Sequence, residues 1–117
     1  MGIAEKRDEA GARLAAGVAS YGLAVPIEEI IDPGRGSAQA AFARQVAMYL
    51  CHVAFELSLA RIARAFGRDR STVAHACHQI EDRRDHPGFD GWIAALEGML
   101  REAPAPLAAD HPTELRS

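Results

Sequence analysis

No run of apolar residues in this 117-residue chain approaches the roughly 20 that span a bilayer, so no transmembrane helix is expected. An apolar signal core is also missing. The N-terminus carries charge at Glu5, Lys6, Arg7, Asp8 and Glu9, which implies a cytoplasmic location. Cysteine is limited to Cys51 and Cys77. Both fall on apolar helical faces, where a cytosolic protein keeps buried thiols more often than a disulfide. There is no C-x-x-C or H-x-x-x-H pair among Cys51, His52, His75, Cys77 and His78. Cys77 shares the side of Val73 and Ile80, and His78 points about 100° away from it, so no metal site is expected. No nucleophile–base pair sits in a catalytic motif, and Ser71 lacks an elbow context; neither an enzyme nor a cofactor is expected. Aromatic residues make up 6% of the chain, β-branched residues are few and Ala is abundant. That balance implies an all-α fold.

What is present suits one compact domain: 49% apolar and 25% charged residues, with no internal repeats. Residues 4–23 read as an amphipathic helix with Leu14, Val18, Tyr21 and Ala15 on its inner stripe, ended or loosened by Gly22. Pro26 fits the first turn of a short helix over 27–31, with Glu28 and Glu29 near its positive end. Pro33, Gly34 and Gly36 make 32–36 a loop. Ser37 is placed to cap a helix over 38–55, with Phe42, Val46, Tyr49, Leu50 and Val53 inward and Arg44, Gln45 and His52 off that stripe. Asp85-His86-Pro87-Gly88 breaks the pattern, and a last helix over 89–102 turns Trp92, Ile93, Leu96 and Leu100 inward. The domain is expected to end at 102. The tail from 103 to 117, with Pro104, Pro106 and Pro112, is expected to be disordered.

The stretch 59–81 organises the rest. Ser58 is placed to cap a short helix over 59–66 with Leu59, Ile62, Ala63 and Phe66 on one face. Gly67 stands where a helix end favours positive φ. Asp69 occupies an N-cap position, its carboxylate able to accept from the N–H of Ser71 or Thr72. A second helix runs from 70 to about 84 with Val73, Ala76, Cys77 and Ile80 buried. Arg70, Ser71, Ala74, His75 and His78 are left on its other side. This is the pattern of a helix-turn-helix whose second helix enters the DNA major groove.

The net charge of −3 hides a division. Residues 1–33 carry three basic and six acidic side chains; residues 85–117 carry two and six. Between them, 34–84 holds eight Arg (35, 44, 61, 64, 68, 70, 83 and 84) against four acids. Arg suits bidentate phosphate and guanine contacts. Acidic flanks weaken non-specific adhesion to DNA, which favours site-dependent binding.

ARQVAMYL (43–50), the Ser58-Leu59 start and IARAFGRDRSTVAHACHQIE (62–81) resemble the C-terminal DNA-binding domain of the bacterial replication initiator DnaA. That family carries an R-Q-x-A-M-Y-L-type helix followed by F-G-G-R-D-H-T-T-V-x-H-A. The resemblance covers about residues 10–102 and implies a helix-turn-helix of the Trp-repressor type with about six helices. Three departures stand out. No Gly-rich phosphate loop with Lys-Ser/Thr occurs, so the ATP-driven step of the full-length family is not expected and the chain reads as a stand-alone domain. The turn is one residue shorter, and the family's base-contacting His is Arg70. The family's basic loop, which reaches the minor groove, is here Pro33-Gly34-Arg35-Gly36-Ser37, where only Arg35 is basic.

The resemblance implies Asp69, Arg70, Ser71, Thr72, Ala74 and His75 as base-facing residues, and Arg35, Arg44, His52, Arg61 and Arg68 as backbone contacts. Each has a plainer use: a cap for Asp69, helix-start propensity for Ser71 and Thr72, a structural role for His75, and solvated charge for the arginines, Arg64 included. The expected partner is double-stranded DNA, bound by a monomer in the nucleoid, to regulate transcription or replication initiation. The alternative is a module that binds a partner protein such as the initiator.

Overall fold

The computed structural model describes residues 2–32, 34 and 36–107. It contains six helices and, among the described residues, no strand: α1 (Ile3–Leu23), α2 (Ile27–Ile31), α3 (Ala38–Ala54), α4 (Leu59–Phe66), α5 (Arg70–Arg83) and α6 (Pro87–Glu102). The expected punctuation operates at most boundaries. Ser37 Oγ accepts from the Ala40 N–H at 3.2 Å, and Ser58 Oγ from the Arg61 N–H at 3.2 Å. Gly67 closes α4 in the left-handed region at φ 65°, and the Arg68 N–H reaches back to the Ala63 carbonyl at 2.9 Å. α6 starts two residues earlier than expected. Pro87 is its first residue rather than a breaker, because a fixed φ and a missing N–H cost nothing in the first turn.

α3 is the axis of the molecule and packs against all five other helices. Nine of its side chains, from Ala40 to Cys51, are therefore buried on every side rather than along one stripe. Arg44, expected off the stripe, is among them.

α1 packs against α3, and the buried residues of both are largely alanine: Ala12, Ala15, Ala16 and Ala19 on α1, Ala40, Ala43 and Ala47 on α3. This corrects the expected α1 stripe. Val18 and Ala15 are buried, but Leu14 is 41% and Tyr21 81% exposed. Methyl groups let the two helices approach closely, and the larger side chains are turned out of the seam. Gly22 does not loosen α1 either. A Cβ there would lie 3.0 Å from Trp92 Cζ2, so the missing side chain makes room for α6. The helix ends at Ala24, in the left-handed region at φ 54°.

Of the tail, 103–107 runs beside α1 and the α3–α4 turn, while 108–117 lies outside the described residues. Ala103 to Pro106 wall one side of a cleft of about 660 Å³, with Leu14, Phe55, Leu57 and Leu100 opposite.

Candidate nucleic-acid interface

The first turn of α5 is the most open part of the helix-turn-helix. Val73, Ala76 and Ile80 are buried and hold the helix against α3 and α4, which fixes the direction of the opposite face. On that face Asp69, Arg70, Ser71, Thr72 and His75 are exposed, with Ala74 half-buried among them. None of these side chains makes a hydrogen bond or ion pair within the described residues. Asp69 holds the N-cap backbone geometry, φ −73° and ψ 149°, but its carboxylate accepts no capping bond, contrary to expectation. The chain enters the turn as a cap requires while the side chain points to solvent. The first N–H groups of α5 thus remain open to an outside acceptor. Two hydroxyls, a guanidinium, an imidazole, a carboxylate and a methyl group are collected at one helix start. Between them they can donate to, accept from and pack on base edges.

The expected backbone-contacting residues divide. Arg68 lies half-buried in the turn beside this face. Its charge is close enough to Arg44 to lower that residue's pKa, second only to burial, with Asp32 acting the other way. Arg44 itself is turned inward. Nε donates to the Ile30 carbonyl at 2.8 Å, and Nη2 to Glu29 and Asp32 carbonyls at 2.7 and 3.3 Å. It satisfies carbonyls at the end of α2.

Arg61 is forked onto Asp8 of α1, Nε at 2.9 Å and Nη2 at 2.7 Å, and this pair raises the Arg61 pKa. His52 donates from Nδ1 to the Leu57 carbonyl at 3.0 Å and closes the α3–α4 turn. All three make bonds within the fold; Arg44 is buried, while Arg61 and His52 stay exposed. Arg35 lies outside the described residues. Arg64 is exposed on α4. Cys51 and Cys77 are free thiols, pushed up to about 12 and about 11 by burial.

The far end of α5 holds residues that sequence reasoning missed. Tyr49, Glu81, Arg84, Asp90 and Glu97 form one hydrogen-bonded group across α3, α5 and α6. The Tyr49 hydroxyl donates to the Glu81 carboxylate. Burial, then that carboxylate, pushes its pKa up to about 12. Burial alone would lower the Arg84 pKa, but bonds to Tyr49, Asp90 and Glu97 outweigh it and raise it. The pairing of Arg84 with residues 35 positions before it and 13 after it leaves no local sequence signal.

The comparisons with known proteins address the same elements. A family model described as the bacterial DnaA protein helix-turn-helix matches residues 17–80, more than half of the chain. This chain belongs to the DnaA helix-turn-helix family. The chromosomal replication initiator protein DnaA of Lachnoclostridium phytofermentans is 40% identical over 78 residues, 65% of this chain and 17% of that protein. The crystal structure of a DNA replication initiation factor is similar with a TM-score of 0.73 and 30% identity, covering 84% of this chain and 30% of that one. The chain thus spans less than a third of the length of either protein. The match to the DnaA model takes in the end of α1, α2, α3, α4 and most of α5. It stops before Glu81, so every member of the Arg84 group except Tyr49 lies beyond it. Among the described residues no helix is long and apolar enough to cross a membrane.

Proposed function

We propose that this chain binds double-stranded DNA sequence-specifically, as a monomer, with the first half of α5 in the major groove, and thereby regulates replication initiation or transcription. The observation that carries this reading is the row of unpartnered side chains from Asp69 to His75 on a helix start held firmly from behind. Arg70 is suited to guanine O6 and N7, Asp69 to a cytosine amino group, and the Ala74 methyl to thymine. Ser71, Thr72 and His75 supply short donors and acceptors. Arg68 and the loop residue Arg35 serve the phosphates. The role is one of binding, in the nucleoid, without a catalytic step or cofactor.

Selection of bound sequences from random duplex DNA at near-physiological salt, run beside Arg70→Ala, tests the reading. Enrichment of one site, weakened or shifted by Arg70→Ala, supports it. A site related to the initiator's own box points to replication, an unrelated one to transcription. No enrichment by either protein refutes it.

The second reading, a module that docks on a partner protein such as the initiator, is favoured by the cleft at the opposite end of α3. Salt separates the two. Binding through several Arg–phosphate contacts weakens steeply as salt rises; docking in this cleft, where Arg7, Asp8, Glu56, Arg61 and Arg101 stand beside Leu14, Phe55, Leu57 and Leu100, weakens less steeply.

A further inference from the structure

α5 is fastened at its C-terminal end by directional contacts to two other helices. Arg84, its C-cap residue, donates from Nε to Asp90 at 2.5 Å and from Nη1 to the Tyr49 hydroxyl at 3.0 Å and Glu97 Oε1 at 3.2 Å. Glu97 is buried, and its second oxygen takes Arg101 at 2.5 Å. Arg83 lies over the rings of Phe42 at 4.7 Å and Phe89 at 5.4 Å. One residue thus binds polar groups on α3 and α6, and its neighbour binds aromatic groups on the same two helices.

Besides the bond from the Tyr49 hydroxyl to Glu81 and the turn from α4, the hold on the rest of α5 is its apolar stripe of Val73, Ala76 and Ile80. Apolar contact is not directional and permits rocking about the stripe. Hydrogen bonds prefer near-linear geometry and oppose it. A 14-residue helix is about 21 Å long, so a small rotation at Arg84 becomes a displacement at Arg70.

We propose that Arg83 and Arg84 are positioning residues: they set the angle at which α5 presents its first turn, and through that angle the discrimination among DNA sites. The second half of this statement rests on the DNA-binding reading above. Arg84 serves Asp90 from Nε and Tyr49 and Glu97 from Nη1; a lysine has three donors but all on one atom, and cannot reproduce that two-point geometry.

Arg84→Lys, which keeps the charge, tests this in the full chain, with Arg83→Gln, which leaves the Arg84 and Tyr49–Glu81 bonds in place, as a second variant. Residual dipolar couplings of α5 amides relative to α3 measure the angle without DNA. The ratio of affinities for the enriched site and a scrambled duplex measures discrimination, at a temperature where circular dichroism shows every variant folded. The expected angular change is at least roughly 10°, where contact residues begin to leave the tolerated geometry. The ratio is expected to fall roughly tenfold, comparable to losing one good base contact, with binding to the scrambled duplex unchanged. Unchanged couplings in both variants overturn the inference whether or not DNA binds. A changed angle with an unchanged ratio overturns its link to discrimination, as does a parallel loss of both affinities. If the unaltered chain prefers no site, the DNA-binding reading fails, and the couplings alone decide the angular role.

Discussion

The two ends of α5 use arginine in opposite ways. At the start, Arg70 stands exposed among side chains that bond to nothing else in the described structure. At the end, Arg83 lies on aromatic rings and Arg84 is enclosed by a phenol and two carboxylates. Thirteen residues separate equal charges with unequal availability. A guanidinium has five donors, and each one given an internal acceptor is one fewer for an external anion. Arg44 and Arg61 repeat the lesson, one spent on α2 carbonyls and the other on Asp8.

The contrast can be broken most severely from the tied end. Glu97→Ala removes a buried carboxylate from between Arg84 and Arg101. It should cost roughly 1.5–3 kcal/mol of stability, the range for hydrogen bonds to charged groups, because Arg84 keeps Asp90 and Tyr49; equilibrium denaturation gives the value, and a loss no larger than that of a surface change contradicts the contrast. Arg70→Ala is the mirror case. DNA affinity should weaken by about 1–3 kcal/mol through loss of a bidentate base contact, with stability inside the ±0.5 kcal/mol usual for exposed sites. Binding isotherms and thermal melts on one preparation test both halves.

Arg61→Ala sharpens the division. It should lower the melting midpoint by releasing Asp8, yet leave the slope of log affinity against log salt unchanged. A slope reduced by about one would instead mark Arg61 as a phosphate contact.

The smallest effect concerns pH. The Tyr49 pKa is raised in the fold to about 12. Its protonated form is therefore favoured by folding, and the associated stability is complete below the ordinary tyrosine range and lost as pH rises through it toward 12. Melting midpoints measured from pH 9 upward should fall less steeply in Tyr49→Phe than in the parent.

Much of the fold was legible because its boundaries are written locally. Ser37, Ser58 and Gly67 each act within three or four residues of their own position, and the corresponding helices begin or end where expected. The α1 face was misread for a physical reason. Leu14 and Tyr21 outrank alanine in hydrophobicity, but close helix contact selects for small volume. The exposed row on α5 was legible from the helical period and the family motif. The side chains engaged elsewhere were not. Arg44 bonds to carbonyls 12 to 15 residues away, and carbonyls have no sequence identity. Asp69 was placed correctly in the backbone, but its rotamer is not encoded in the N-cap preference.

The alanine seam between α1 and α3 carries an evolutionary consequence. Side chains there are already a single methyl group, so the two directions of change are unequal. Shortening Ala16 or Ala47 to glycine costs about 1 kcal/mol, mostly in backbone entropy. Lengthening either must wedge the axis apart, at about 1–3 kcal/mol or more. Because α3 touches every other helix, that displacement is shared by the whole molecule. The seam has little freedom to change in sequence, whereas the exposed row on α5 can be rewritten with almost no stability cost.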